Sequence, residues 1–531
     1  MSSETTHAQR IAEGASVVAG ATLLSRGLGF VRDLVTAYAL GAGPVADAFF
    51  VAFRLPNLMR RLFGEGSLTM AFVPVFARIR AEEGDASAFA MARAALVWLA
   101  AILSVICVAA VVFAEPLTFL IAPGFARDPE IFALTVSLVR ICFPFALFIC
   151  AVALCMGVLN AMDHYLGPSL APCVMNVVLI AAAFGAVWTG GDVAHTLAWA
   201  LLLSGWLQWE LQQPFLRRKG FSWRGPVTLA HHGIKRLGRV MLPTVFGAAV
   251  YQVNILIGTL LASYLPTGSV SYLYYADRLV QFPLGVFGVA VSTAALPSLS
   301  RLAAAQDDDG FASALASALR LTLFISLPAA AGLIALSHPV VALLFKRGAF
   351  SADAVRATSW ALVAYSAGLP AFAVVRPLVS AFYARQDTRT PVYVGAACLV
   401  IYVGCALALM GPLAHVGLAL AVTVASWANA VILAVLVRRG GVAASLDVWR
   451  GCVWPGLAHA GFAVGVGLAA WGTWAVLDQR GLGNVAVALI PVWAVGYVAA
   501  SQAVGIAEAA IFRNVAQKVY GKLRRKASVR R

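Results

Sequence analysis

Four arginines stand inside or against apolar stretches long enough to cross a bilayer: Arg26 and Arg32 in the first stretch, Arg60 near the end of the second, and Arg278 behind the aromatic run Tyr272, Leu273, Tyr274, Tyr275. An arginine at the centre of a span costs roughly 2.5–3.5 kcal/mol on insertion scales. Several together are too costly to be lipid-facing decoration. They predict a wet, cationic cavity suited to an anionic headgroup attached to a lipid-soluble body. Guanidinium forks match phosphate oxygens bidentately, and the hydroxyls beside Arg278 would hold a sugar or frame an entrance.

The spacing around these cations adds detail. Two glycines, Gly27 and Gly29, separate Arg26 from Arg32 and lower helix stability by roughly 1 kcal/mol each relative to alanine, so a bend is expected there. On an ideal helix Arg26 and Asp33 share a face while Arg32 points about a third of a turn away; a bend would bring both arginines to one cavity. The competing reading is that Arg32 and Asp33 pair locally or snorkel. Arg60 and Arg61, adjacent on a helix, face different ways, and paired arginines at a helix end also serve as topology signals. Asp47 is a candidate partner for a cavity arginine or an outer gate. Asp277 beside Arg278 is either part of the site or an interfacial ion pair, and Arg376, before Pro377, is a secondary candidate.

The elements that position these residues must be membrane helices. The chain has 531 residues, 61% of them hydrophobic and only 12% charged, which exceeds the apolar share of a soluble domain. Runs such as 95–114 are apolar on every face, where a membrane β-barrel would alternate. The fold class is therefore an all-α polytopic membrane protein. Breaks in hydropathy give about fourteen segments, at 13–40, 44–64, 88–114, 130–157, 165–189, 193–213, 236–263, 271–299, 311–337, 353–383, 391–411, 415–437, 451–477 and 484–510.

The net charge of +16 is gathered in two clusters, Arg217 to Arg239 and Lys518 to Arg531. The positive-inside rule makes both cytoplasmic, and an even number of spans then puts both termini there. The basic tail suits contact with anionic lipid, and nucleic acid is not an expected partner. The N-terminal stretch lacks a cleavable signal, so the first span should remain in the mature chain. The 8 cysteines lie mostly in apolar runs with no C-x-x-C pair and read as small buried hydrophobes. No phosphate-binding GxxxxGK[ST] loop, HExxH zinc site or GxSxG elbow occurs, so no catalytic residue, metal or cofactor is assigned.

A repeat organises the chain. Gly43-Pro44-Val45, Phe49-Phe50 and Arg54-Leu55 recur about 225 residues later as Gly268-Ser269-Val270, Tyr274-Tyr275 and Arg278-Leu279; Phe72-Val73-Pro74 with Arg78 is echoed by Ala295-Leu296-Pro297 with Arg301. A six-span unit preserves orientation, giving two lobes, 1–220 and 221–440, that rock about a central site. Residues 441–512 hold two extra spans that extend the apolar surface, and 513–531 form the basic tail.

At these residues the chain resembles the MurJ (MviN) family of lipid II flippases, within the multidrug/oligosaccharidyl-lipid/polysaccharide exporter superfamily. The segments that carry the resemblance are Ser25-Arg26 through Arg32-Asp33, Gly41-Ala42-Gly43 with Asp47 to Phe53, Leu55-Pro56-Asn57-Leu58 through Glu65-Gly66, Ala71 to Pro74, Ala122-Pro123-Gly124-Phe125, Tyr274 to Leu279, and Phe382-Tyr383 with Arg385-Gln386-Asp387. The resemblance implies fourteen helices, two six-helix lobes and a central cationic cavity. It implies that Arg26, Arg32, Arg60 and Arg278 bind the diphosphate of lipid II, that Asp33, Asp47, Glu65 and Ser271 matter beside them, and that the last two helices hold the polyprenyl tail. Gln281 stands where relatives can carry an acid, and Arg376 where they can carry lysine. The implied activity is transfer of lipid II between leaflets of the bacterial inner membrane by alternating access, driven by an unidentified coupling ion or the membrane potential. The alternatives are a cation-coupled drug or other lipid-linked oligosaccharide exporter, and a polyprenyl-diphosphate enzyme, for which the scattered Asp33, Asp47 and Asp277 supply no catalytic motif.

Overall fold

The computed structural model describes residues 2–61, 68–285, 289–439, 446–481, 483, 485–506 and 508–510; the side chains of 2–17, 69–70, 242–251, 289–290 and 446–454 are not described. Glu65 and the basic tail from Lys518 onward therefore lie outside the described residues. All regular structure among the described residues is helical. The chain divides into two compact units, Met1–Ser271 with Arg347–Ser351, and Tyr272–Lys346 with Ala352–Arg531.

The first unit contains α1 (Ser2–Leu40), α2 (Pro44–Met59), α3 (Leu68–Glu83), α4 (Asp85–Val112), α5 (Ala114–Ile121), α6 (Pro129–Cys142), α7 (Phe145–Ala161), α8 (Leu166–Thr189), α9 (Val193–Arg218) and α10 (His232–Ser263). α8 packs between α1 and α9, α2 lies on α6, and α3 packs against α4, α7 and α10. The start of α6 is set by Pro129 at the first helical position and by Asp128, whose carboxylate accepts from Glu130 N at 3.1 Å and Ile131 N at 3.2 Å.

From Ser269 onward run α11 (Ser269–Pro283), α12 (Val289–Ala304), α13 (Asp308–Ala335), α14 (Ser337–Phe345), α15 (Ala352–Ser366), α16 (Leu369–Ala384), α17 (Arg389–Arg439), α18 (Leu446–Gln479), α19 (Val485–Ala488) and α20 (Ile490–Ala503). α17 is 51 residues long, about 75 Å if straight. It breaks at Ala414, where φ is 46°, and a Cβ on Gly417 would overlap the Leu409 carbonyl. Eight residues along a straight helix span about 12 Å, so this contact means the chain doubles back into two antiparallel spans.

Seven helical stretches among the described residues are long and apolar enough to cross a membrane: Asp85–Val112, Pro129–Ala161, Leu166–Thr189, Asp308–Ala335, Ala352–Ala384, Arg389–Arg439 and Pro455–Gln479. With α17 doubled back they take up eight of the fourteen expected segments. The other six fall on α1, α2, α9, α10, α11 with α12, and α19 with α20.

Element order reproduces the repeat. α3 and α12 are each 16 residues long with an internal proline, Pro74 or Pro297, and α4 and α13 are each 28 residues long and lead into short helices α5 and α14. Packing repeats as well. Phe72, Phe76, Met91, Leu154 and Val158 form a core between α3, α4 and α7; Leu299, Phe311, Leu315 and Leu378 form its counterpart between α12, α13 and α16. The second and eighth spans share a local feature among the described residues. α2 ends in a π turn at Arg60-Arg61 and α11 in one at Leu284-Gly285, each close behind a proline, Pro56 or Pro283, that removes a backbone N–H and crowds the preceding turn.

Two glycine-bearing turns fasten helix ends in the first unit. Gly124 N donates to Ser263 Oγ at 3.1 Å, a Cβ on Gly124 would overlap the Ser263 carbonyl, and Arg127 lies 5.4 Å from the Tyr264 ring centre. In the turn at Arg347–Ser351, Ala349 N donates to Tyr38 O at 2.9 Å, with Gly348 at φ 59° against Tyr38 and Gly41 at φ 68° against the Ala349 carbonyl.

Candidate functional site

α1 is one continuous helix through Gly27 and Gly29, so a bend at the glycines does not interrupt it. Arg26 and Arg32 take different faces of it. Arg26 is exposed, whereas Arg32 is half-buried and turned toward α8. Its Nε and Nη2 donate to Asp33 Oδ1 at 3.1 and 2.7 Å, and its Nη1 donates to Asn176 Oδ1 at 3.1 Å. Local pairing of Arg32 with Asp33, one of the two readings of the sequence, is what the geometry contains. The guanidinium is nevertheless kept inside the helix bundle, fixed in orientation from two helices.

Asp47 and Ser271, more than two hundred residues apart in sequence, are brought together. Buried Asp47 accepts from Gly268 N at 2.6 Å, Ser271 N at 2.7 Å and Ser271 Oγ at 2.6 Å, so one carboxylate at the start of α2 caps the start of α11. The partner of Asp47 is thus a helix N-terminus rather than an arginine. Three charge-assisted bonds to one buried acceptor, each worth about 1.5–3 kcal/mol, make it a firm tie.

At the end of α2, Arg60 is held over its own helix, with Nε and Nη2 donating to Asn57 Oδ1 at 2.9 and 2.7 Å. Arg61 is half-buried in the π turn beside it. Arg54, about two turns earlier, reaches Ile255 O on α10 at 3.5 Å.

In the second unit, Arg278 is half-buried with its guanidinium 4.8 Å from the centre of the Tyr274 ring, a cation–π contact that leaves the planar fork pre-oriented. Asp277 accepts from Gln281 one turn on. Arg376 is half-buried on α16, where Ser380 Oγ donates to its carbonyl at 3.1 Å and also meets Ser292 on α12 at 2.9 Å.

Other polar features escaped the sequence reading. Asn176 was one; its signal was a lone amide in an otherwise apolar span. Buried His459 and Glu508 were others, since the last two spans read as nearly free of charge. Arg320 Nε lies 3.1 Å from Glu508 Oε1, and His459 Nε2 3.7 Å from Glu508 Oε2, tying α13 to α18. Beside them α18 and α20 border an apolar cleft of about 590 Å³, lined by Gly461, Phe462, Gly465, Val466, Trp493 and Gly496. The glycines open it: a Cβ at 461 or 465 would meet nothing within 4 Å.

The described residues include one group with the side chains of a metal site, Glu83, His231 and His232, whose ligand atoms lie within 4.8 Å of one another. Hydrogen bonds already engage these atoms. Ser87 Oγ donates to Glu83 Oε2 at 2.5 Å and meets His231 Nε2 at 3.1 Å, His231 Nδ1 accepts from Gly233 N at 3.1 Å, and His232 Nε2 lies 2.9 Å from Glu83 Oε1. The Ser87 hydroxyl, followed by the charges of His232 and His231, holds the Glu83 carboxyl below its ordinary value, and burial together with the His232 charge lowers His231. The arrangement is a polar network between the α3–α4 turn and the start of α10.

A bundle of long apolar helices in two repeats, with half-buried arginines among them, defines a polytopic transporter of the multidrug and lipid exporter type. The fold matches a solved lipid II flippase MurJ in an inward closed conformation, with a TM-score of 0.75 at 24% identity over 92% of this chain and 99% of that one. It also matches an inward-facing MATE family multidrug transporter of the MOP superfamily, with a TM-score of 0.67 at 16% identity over 81% and 98%. The family model for lipid II flippase MurJ matches residues 36–490, and the chain belongs to that family. A probable lipid II flippase MurJ of Rhizobium meliloti is 40% identical over 433 residues, 80% of each chain, and the lipid II flippase MurJ of Burkholderia cenocepacia is 36% identical over 439 residues, 81% of this chain and 84% of that one.

Proposed function

We propose that this protein carries lipid II, undecaprenyl diphosphate bearing the peptidoglycan disaccharide-pentapeptide, from the cytoplasmic to the outer leaflet of a bacterial inner membrane. Membership of the flippase family supports the substrate. The observation that carries the mechanism is the half-buried guanidinium of Arg32, kept within a membrane span by Asp33 and Asn176. Taking a diphosphate out of water costs many kcal/mol unless charge and hydrogen bonds replace its hydration. Arg26, Arg32 and Arg60 from the first repeat and Arg278 from the second are the residues assigned to that task, with Asp33, Asp47, Glu65, Ser271, Asp277, Arg61 and Arg376 shaping or gating the path.

The tail stays apolar throughout. The cleft between α18 and α20 has the lining and volume to hold a stretch of polyprenyl chain. In this reading residues 1–220 and 221–440 are two six-span lobes that alternate about the headgroup, 441–512 form the tail groove, and both termini and the 513–531 tail face the cytoplasm. An inside-negative potential would assist outward movement of anionic headgroups by roughly 2.3 kcal/mol per charge per 100 mV.

The test is the accessibility of lipid II at the outer leaflet of reconstituted vesicles, with and without the protein. Outer-leaflet lipid II should rise, with the molecule recovered chemically intact. No rise, or competition by organic cations instead of lipid II analogues, would turn the assignment toward the drug exporters that share the fold. Collapse of the potential should slow the transfer.

A further inference from the structure

We infer that Asn176 is the positioning residue for Arg32: it sets the guanidinium at the angle from which it meets the diphosphate. The inference rests on the reading of Arg32 as a headgroup contact. Asn176 sits on α8 with only 3% of its surface exposed, so both ends of its amide need partners, and both partners are on α1. Its Oδ1 accepts from Arg32 Nη1 at 3.1 Å and its Nδ2 donates to Ser25 O at 3.1 Å. The amide orientation is fixed by chemistry, because the flipped form would aim Nδ2 at a cation and Oδ1 at a carbonyl.

Ser25, Gly29 and Arg32 follow one another at the i, i+4, i+7 positions of a single face, and that face meets Asn176. Gly29 lies between the two bonds; a Cβ there would sit 3.6 Å from Asn176 Nδ2, in ordinary contact. Asp33 cannot orient Arg32 unaided. Neighbouring residues on a helix point about 100° apart, so the Asp33 carboxylate draws the guanidinium sideways along its Nε edge. The Nη1 bond across to α8 opposes that pull and stops rotation about the long side chain. Without Asn176, Arg32 would lose its hydrogen bond to α8.

A mere packing tie between α1 and α8 would affect stability alone, so the test uses a double-mutant cycle on the purified full chain with lipid II as the probe. Asn176→Leu, close to isosteric, should weaken lipid II binding about tenfold, the effect of losing one hydrogen bond to a charged group. In an Arg32→Lys background, where the bidentate fork is already gone, the same substitution should add nothing. Asn176→Ser, a shorter polar side chain, replaces the leucine form if that fails to insert, with the same expectations. The inference falls if Arg32→Lys weakens binding and the Asn176 variants bind normally, or if they weaken it as much in the Arg32→Lys background as in the native chain. Normal binding by Arg32→Lys itself would remove the headgroup role of Arg32, and this inference with it.

Discussion

The π turn that ends α2 carries Arg60 and Arg61, whereas the corresponding π turn at the end of α11 carries Leu284 and Gly285. The same contrast runs through the neighbouring elements. α1 bears Arg26 and Arg32, but the stretch of α10 at Gln252–Ser263 is apolar and neutral, and the cation of the second repeat, Arg278, comes from α11 instead. The framework behind these residues hardly differs: matched helix lengths, proline-linked π turns, and cores built at equivalent places. Packing constrains the repeat, because a core close-packed at the level of single methylenes tolerates little drift. Some cations keep the repeat, Arg54 with Arg278 and Arg78 with Arg301, whereas Arg26, Arg32, Arg60 and Arg61 have no basic residue at the matching positions of the second repeat.

Removing the cations from each repeat in turn would break this contrast most severely. Arg26→Ala and Arg278→Ala should each abolish complementation of a flippase-depleted strain while the protein still inserts. Growth with Arg278→Ala alone would make the first repeat sufficient, and growth with both variants would leave the arginines without a role in transport.

The Asp47 cap comes next in size. Asp47→Ala strands two backbone N–H groups, Gly268 and Ser271, at about 1–3 kcal/mol each, and leaves the Ser271 hydroxyl its bond to Gly268 O. Hydrogen exchange at the start of α11 should quicken by an order of magnitude or more, with Asp47→Asn intermediate because its amide oxygen still accepts. Unchanged exchange in the alanine form would show that α11 is capped by other means.

The two fastening turns sharpen the comparison further. Both seat a turn on a helix end, the Pro123–Arg127 turn with a hydroxyl and a cation–π contact, the Arg347–Ser351 turn with a backbone hydrogen bond. Gly348→Ala meets both a φ of 59° and the Tyr38 backbone, and should cost about 1–3 kcal/mol in melting experiments. Gly238→Ala, in an open position on α10, should be neutral or stabilise by up to about 1 kcal/mol. Equal effects from the two would mean that the Arg347–Ser351 turn is not held as described.

Much of this could be read from the chain. The all-helical membrane class follows from hydropathy, and the repeat from Gly43, Pro44, Pro74 and their echoes, because these residues constrain backbone geometry wherever they occur. Tertiary partnership was less legible. Asp47 was picked out as a charge near a helix end, but no local pattern names Gly268 and Ser271 as its donors across more than two hundred residues. Asn176 and Glu508 were passed over because a single polar residue in an apolar run leaves no periodic trace; its meaning depends on which helix packs against it. The bend expected at Gly27 and Gly29 does not interrupt α1. Glycine lowers the cost of bending, and the α1–α8 contact, with Asn176 bonded to both Ser25 and Arg32, ties α1 to its neighbour on either side of Gly29.

The smallest expected effect concerns the strap that joins α9 to α10. Arg93 donates to Pro226 O at 3.0 Å and Ser222 O at 3.1 Å, Trp98 to Leu229 O at 3.1 Å, and the strap ends in the network of Glu83, Ser87, His231 and His232. Glu83 and His231 both titrate below their ordinary values in the folded protein, Glu83 because of the Ser87 hydroxyl and the nearby imidazoles, His231 because of burial and the His232 charge. For both groups the unfolded strap binds more protons than the folded one, so the contribution to stability is present at neutral pH and is lost on acidification. The loss begins as pH falls through the ordinary imidazole range near 6.5 and deepens below the ordinary carboxylate range near 4.3. Hydrogen exchange at residues 222–233, corrected for its intrinsic pH dependence, should therefore accelerate modestly between pH 7.5 and 5.5, by less than about tenfold. His231→Gln should flatten that part of the profile and leave the core between α3, α4 and α7 unaffected. Acceleration toward high pH instead would reverse the sign and remove His231 and Glu83 as its cause.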